Sequence, residues 1–257
     1  MKDILEYSKQ APNDYPFVYQ DTMERVFAED LNKVLKEYEE GLLENISKFK
    51  DDYNLLKDDV RYRTPNSYIR FYDYNDKGIK DLLFKTFSYT YRAGGQQAYK
   101  DFNKDESFKL SLNDLLEVSE YVDYKTKSIK KSYKNLITIK LMSAVKSKDS
   151  FDDFYSDLEK YRGFKKRSEE SYVPPMPNRV VLVDNFSTRE ISRGVNNGRL
   201  SGYNRTRRIM IYLYKTRLDE RVSTICSPRH NEQIPPNQAK GVIPQHRNCR
   251  CTLVPHL

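Results

Sequence analysis

The stretch DTMERVFAEDLNKVLKEYEEGLLENISKFKDDYNLL, residues 21–56, spaces its apolar side chains in steps of 1, 3 or 4 from Met23 through Val26, Phe27, Leu31, Val34, Leu35, Tyr38, Leu42, Leu43, Ile46, Phe49 and Tyr53 to Leu56. Those steps put every one of them on a single face of a helix. A helix this long cannot cover its own stripe, so it needs other helices, from this chain or a neighbour. Asp21 with Glu24 three residues on has the spacing of a capping box, and the helix is expected to start there.

The following segments repeat the theme. Thr64-Pro65-Asn66 interrupts the pattern, and NDKGIKDLLFKTFSYTYRAGGQQAYKDFNK resumes it. Gly94-Gly95 is a weak point within that helix, costing about 1 kcal/mol per glycine relative to alanine, unless it serves close packing or a kink. SLNDLLEVSEYV, capped by Ser111, reads as a third helix, KTKSIKKSYKNLITIKLMSAVKS as a fourth and DSFDDFYSDLEKYR as a fifth. Residues 18–162 are therefore expected to form a helical domain behind an irregular arm, 1–17. GFKKRSEESYVPPMPN, residues 163–178, has the composition of a linker or extended arm.

Beyond it the pattern changes. RVVLVDNF is a short apolar segment, and STREISRGVNNGRLSGYN reads as a helix capped at Ser187 or Thr188 and stopped at Gly202. RRIMIYLYKT is the clearest strand, RLDERVSTIC a turn and second strand, and CRCTLV a last strand. The expected fold class is α+β. A largely helical N-terminal domain precedes a small mixed C-terminal domain, residues 179–257, whose β-hairpin is closed by a Cys/His cluster.

Charge is uneven along the chain. Residues 163–257 hold 17 Lys and Arg against 7 Asp and Glu, and 13 of the 17 are Arg, whereas residues 1–162 nearly balance. Arg forks pair bidentately with phosphate and carboxylate, so the C-terminal part is expected to meet nucleic acid or an acidic protein surface. Arg205, Arg207, Arg208, Lys215 and Arg217 are the candidate contact residues, with Arg205 and Arg207 on one strand face. A solvated basic face is the plain alternative. No apolar run of membrane-spanning length and no secretory h-region occur, so no membrane partner and a reducing compartment are expected.

Every cysteine and histidine of the chain lies in its last 32 residues: Cys226, His230, His246, Cys249, Cys251 and His256. In a strand, Cys249 and Cys251 would point to one face. A loop with Pro235, Pro236, Gly241 and Pro244 would return His246 to Cys226. Cys226, His246, Cys249 and Cys251 then make a Cys3His set suited to closed, structural zinc, with His230 as the reserve ligand. A disulfide from Cys226, plain burial of thiols, and Cys–His catalysis remain open beside zinc. The chain carries no Gly-rich phosphate loop, H-E-x-x-H or G-x-S-x-G, so no enzyme and no small-molecule substrate are expected.

LDERVSTIC followed by IPQHRNCRCTLVP resembles the C-terminal signature of the phage Mu protein F-like family, the minor head or head morphogenesis proteins of tailed bacteriophages. The match rests on Asp219, Arg221, Val222, Cys226, Pro244, His246, Asn248, Cys249, Arg250 and Cys251, within about residues 184–255. Where many members carry a second cysteine or an apolar-Asp/Asn-Gly turn after the first ligand, this chain has His230. The resemblance implies a non-enzymatic virion protein inside the capsid at the portal vertex, assembled in the host cytoplasm. Its implied partners are the portal protein, packaged double-stranded DNA, and major capsid or other head proteins. Its implied role is head assembly and genome packaging or delivery. A cytoplasmic nucleic-acid-binding protein with a small zinc module is the alternative.

Overall fold

The computed structural model describes residues 18–160, 179–206, 209–216, 222–246 and 249–256. The expected arm 1–17 and linker 163–178 lie outside the described residues. Among the described residues the chain is mostly helical with one small antiparallel sheet near its end, the α+β class read from the sequence. The helices are α1 (Val18–Ser47), α2 (Lys50–Asp58), α3 (Pro65–Ile69), α4 (Lys77–Asp101), α5 (Leu112–Ser147), α6 (Phe151–Lys160), α7 (Arg179–Thr206) and the short α8 (Pro236–Ala239). The strands are β1 (Tyr212–Lys215), β2 (Gln233–Ile234) and β3 (Thr252–Pro255), in the order β2-β1-β3. None of the helices is long and apolar enough to cross a membrane.

Contacts group the chain into two compact units built from non-contiguous segments. One comprises Met1–Asp30, Leu83–Val122 and Val183–Leu257, the other Leu31–Leu82 and Asp123–Leu182. The helical segment thus contributes to both.

Four expected boundaries shift. The single helix expected over 21–56 begins at Val18, ahead of Asp21, and breaks at Lys48–Phe49, where Lys48 N–H and Phe49 N–H donate three residues back to Asn45 and Ile46. The third and fourth helices are one, α5, because nothing between Val122 and Lys125 interrupts the backbone ladder. The apolar segment 179–186 is the first part of α7, not a separate element. Ser187 and Thr188 are therefore inside that helix: Ser187 Oγ donates to Val183 O, and Thr188 Oγ1 to Glu24 Oε2. Gly202 does not stop α7 but packs within it against Ala98 and Gly95.

The helix start at Ser111 follows the sequence reading and adds reciprocity, and a second such box stands at Ser150. Ser111 Oγ accepts from Asp114 N–H, while the Asp114 carboxylate accepts from Ser111 N–H at 2.7 Å; Ser150 and Asp153 repeat the arrangement. Each box satisfies amides that an α-helix leaves open at its first turn.

In the second unit the buried stripe of α1 (Leu31, Leu35, Tyr38, Leu42, Ile46) continues into Tyr53 and Leu56 of α2. Tyr38 meets the rings of Tyr74 and Tyr133 at 5.6 and 5.3 Å, and Tyr53 stacks on Phe154 at 5.2 Å. In the first unit α4 and α7 approach backbone to backbone. A Cβ on Gly94 would collide with the Val195 carbonyl oxygen, and one on Gly198 with that of Tyr91. Gly94-Gly95 therefore serves close packing within a continuous helix. Asp101 joins the pair, accepting from Arg199 Nη2 at 2.9 Å and Tyr203 Oη at 2.5 Å.

Candidate metal centre

The sheet is small, so its inner face has to be closed by other means. Tyr212 and Tyr214 of β1 alternate inward, as a strand's period of two requires, and are fully buried with Ile234, Leu253, Ile209, Ile243 and Tyr203. β1 pairs with β3 from Tyr212↔Pro255 to Lys215↔Thr252, and with β2 at Tyr212↔Ile234 and Leu213↔Gln233. The hairpin partner expected at RLDERVSTIC is not a strand where it is described: Val222–Cys226 leads through a turn into the 3-10 segment Ser227–Arg229. Ser223 accepts the Cys226 amide at both its carbonyl and its hydroxyl, 3.1 Å each, which folds this segment into a corner incompatible with a ladder.

That corner aims Cys226 inward. The chain then leaves through His230, β2 and α8, passes the left-handed Gly241 (φ 83°), and comes back at His246. Three buried cysteines result, Cys226, Cys249 and Cys251, with all their sulfurs within 4.8 Å of one another. Cys226 Sγ lies 4.0 Å from Cys249 Sγ and 3.0 Å from His246 Nε2. Cys249 and Cys251 precede β3 and are not in it, yet their sulfurs meet as the C-x-C spacing led one to expect. The three thiols are free, with no disulfide among them.

The donor set fits a metal ion. Bonds of about 2.3 Å to a tetrahedral centre put sulfurs about 3.8 Å apart, close to the Cys226–Cys249 separation. His246 is near but differently engaged, since Ser223 Oγ also sits 2.7 Å from its Nε2. Ligation by that nitrogen would replace the Ser223 bond. Among the described residues only the three cysteines form a metal-competent cluster.

The electrostatics favour one thiolate. The Cys251 thiol donating to its sulfur, helped by backbone amides and the nearby His246, outweighs burial and brings Cys249 down to about 5. Its partner responds in the opposite sense: Cys249, then burial, pushes the Cys251 thiol far up. Tyr214, raised by burial and by its bond to Cys226 at 3.3 Å, stays a neutral donor over the cluster.

The reserve ligand is elsewhere. His230 Nδ1 faces Thr216, 2.9 Å from Oγ1 and 3.3 Å from the amide, and so fastens the loop to the end of β1. His256 bonds through its amide to Ile211 O. Of the candidate basic contacts, Arg205 lies at the end of α7 and not on a strand. Its guanidinium donates to Lys109 O at 2.7 Å, Ser111 Oγ at 2.9 Å and the Asp114 carboxylate, and covers the Phe108 ring, so it is committed within the fold. Lys215 donates to Asn231 Oδ1. Arg207, Arg208 and Arg217 lie outside the described residues, as do Asp219, Arg221 and Asn248 of the signature.

One residue that matters here was not singled out from the sequence. Asn196, buried in the middle of α7, donates to Cys251 O at 3.0 Å and to Ser192 O, and accepts from Thr252 Oγ1 at 3.0 Å and Leu253 N–H at 3.1 Å. It ties the cysteine strand to the helix. The signal was available: Asn196 sits between Ser192, Val195 and Arg199 on the buried side of α7, where an asparagine needs partners. Ser223, which orients both Cys226 and His246, carried no such signal.

No protein-family model matches the chain, and no curated protein or solved structure is significantly similar to it.

Proposed function

We propose that this is a structural minor head protein of a tailed bacteriophage, similar to the Mu protein F-like family. It would dock at the portal inside the capsid and aid head assembly and genome packaging or delivery. The observation that carries the reading is the convergence of the signature's own residues. Cys226, Cys249 and Cys251, 25 positions apart at their extremes, meet in one buried cluster with partly buried His246 3.0 Å from Cys226 Sγ, and Cys251 is fastened to α7 through Asn196.

Zinc is the metal this set best suits, because three thiolates and an imidazole are soft, tetrahedral donors. Cys226, Cys249 and Cys251 would hold it, with His246 as the fourth ligand. Four protein ligands leave no open position, so the ion would stabilise the fold and perform no chemistry. The burial of all three thiols speaks for a clamp in preference to a nucleophile.

The test is mass spectrometry of purified particles of the phage that encodes the chain. The protein is expected in them at a few copies per particle; its absence from DNA-filled heads and from proheads would refute the reading.

A further inference from the structure

The near balance of charge over residues 1–162 hides one segment that has none. From Tyr124 to Lys148, along the second half of α5, there are eight lysines and no aspartate or glutamate. The fold uses some of them. Lys130 pairs with Asp73 and Asp76, Lys140 with Asp157 at 2.8 Å, and Lys125 is buried. Lys127, Lys131, Lys134 and Lys146 are exposed and make no ion pair among the described residues; Lys134 caps the Tyr72 ring at 4.8 Å. Lys127, Lys131 and Lys134 stand at i, i+4 and i+7, one face of the helix; Lys146, about 29 Å from Lys127 along the axis, is exposed too but is turned about a quarter of the helix away from them.

This is not how the chain treats its other solvated faces. α1 sets Arg25 against Glu29 and Lys36 against Glu40 at the helical spacing, and Lys48 just past its end pairs with Glu44. On α5, Lys127/Lys131 and Lys130/Lys134 are like charges at i, i+4, each pair destabilising the helix. The helix dipole accounts for Lys146 and Lys148 at the C-terminal end, and its effect does not reach Lys134 three turns earlier.

We infer that the exposed lysines in the second half of α5, Lys127, Lys131, Lys134 and Lys146, form a binding surface for duplex DNA, held through phosphates without regard to base sequence. The chemistry selects among polyanions. The residues between the lysines are Ser128, Asn135 and Ser143, with Ile139 and Met142 as the exposed apolar groups. Lysine is depleted at protein interfaces, and here the four exposed lysines outnumber the two exposed apolar groups. A lipid surface takes up a continuous apolar face, and the apolar face of α5 (Ile129, Ile137, Leu141, Val145) is already buried in its own unit. Ammonium groups spread over about 29 Å of an exposed helix span several phosphates of a duplex. The inference does not rest on the proposed role in a phage head, since it concerns other residues and is read on purified protein.

The test is binding of the full-length protein to a random-sequence DNA duplex across a salt series. Four lysine–phosphate contacts predict a slope of log affinity against log salt of about −3.6, hence a loss of roughly 100-fold between 50 and 200 mM. Lys127→Gln with Lys131→Gln should lower the slope by about two and leave the thermal midpoint unchanged or higher. Ser128→Glu with Asn135→Glu, which adds acid without removing lysine, should weaken binding likewise. Arg207→Gln, Arg208→Gln and Arg217→Gln together should leave the slope as it is. The inference is overturned if the wild type does not bind DNA, if it prefers phosphatidylglycerol vesicles or polyglutamate, or if the arginine set moves the slope and the lysine pair does not.

Discussion

At the scale of single residues, Asn196 shows what a buried amide can do that a hydrophobic residue cannot. It offers two donors and one acceptor to the Cys251–Leu253 backbone and to Ser192 and Thr252, so four bonds converge on one side chain. Asn196→Ala would leave the Leu253 amide and the Thr252 hydroxyl buried without partners and should cost about 2–3 kcal/mol, read from chemical denaturation. The histidines separate in the same way. His246→Ala should weaken metal binding, whereas His230→Ala should leave metal content unchanged and loosen only the contact with Thr216. Competition with a colorimetric zinc chelator distinguishes the two. The sequence put His246 first and kept His230 as the reserve ligand, because spacing constrains reach and says nothing of side-chain direction.

At the scale of elements, α4 and α7 are held by what their glycines lack. Gly198→Ala places a methyl against the Tyr91 carbonyl and should cost about 2–3 kcal/mol through overpacking, measured as a lowered urea midpoint. Gly241→Ala meets open space, and its cost of about 1 kcal/mol comes from the left-handed φ alone. The cap of α5 carries a pH signature. Burial alone would raise Asp114, but hydrogen bonds from the Ser111 amide and hydroxyl, Tyr91 and Ser201 hold its carboxyl below the ordinary 3.8. A depressed carboxyl stabilises the fold in full above that ordinary value, and the contribution is lost as pH falls through the lower folded one. Urea midpoints measured from pH 5 down to pH 2 should therefore drop steeply in the wild type and more gently in Asp114→Asn, which is already weakened at neutral pH. The Ser111 cap, the helix stripe and the β1 strand were legible, because period and cap chemistry are local; the caps read at Asp21 and at Ser187 or Thr188 were not, because both helices run on ahead of them. The merging of two helices into α5 and the reach of α7 back to Arg179 were not: no strong breaker stands at either junction, and composition there is neutral between helix and loop. The short β2 was hidden for a different reason, since two residues carry no period at all, and Gln233–Ile234 is a strand only because Tyr212 and Leu213 lie beside it.

At the scale of the molecule, charge follows the packing and departs from the composition. The C-terminal part has the larger excess of arginine, yet Arg199, Arg205 and Arg229 are tied to Asp101, Asp114 and Glu232. Four exposed lysines that make no ion pair among the described residues are on α5, within residues 1–162, whose overall charge is nearly balanced. Counting could not reveal this, because an ion pair and a free charge add equally to a sum. The Cys/His tail, in contrast, was informative in advance: the spacing predicted that Cys226, His246, Cys249 and Cys251 converge, and the three sulfurs do so within 4.8 Å. The central claim is that this cluster is a metal clamp closing the C-terminal α+β part. Its most direct test is the zinc content of the full-length protein purified under reducing conditions from zinc-supplemented cells. One zinc per chain, lost together with thermal stability in Cys226→Ser, is the predicted result. A wild-type protein that is fully folded, metal-free and reactive with thiol reagents only on unfolding would contradict it.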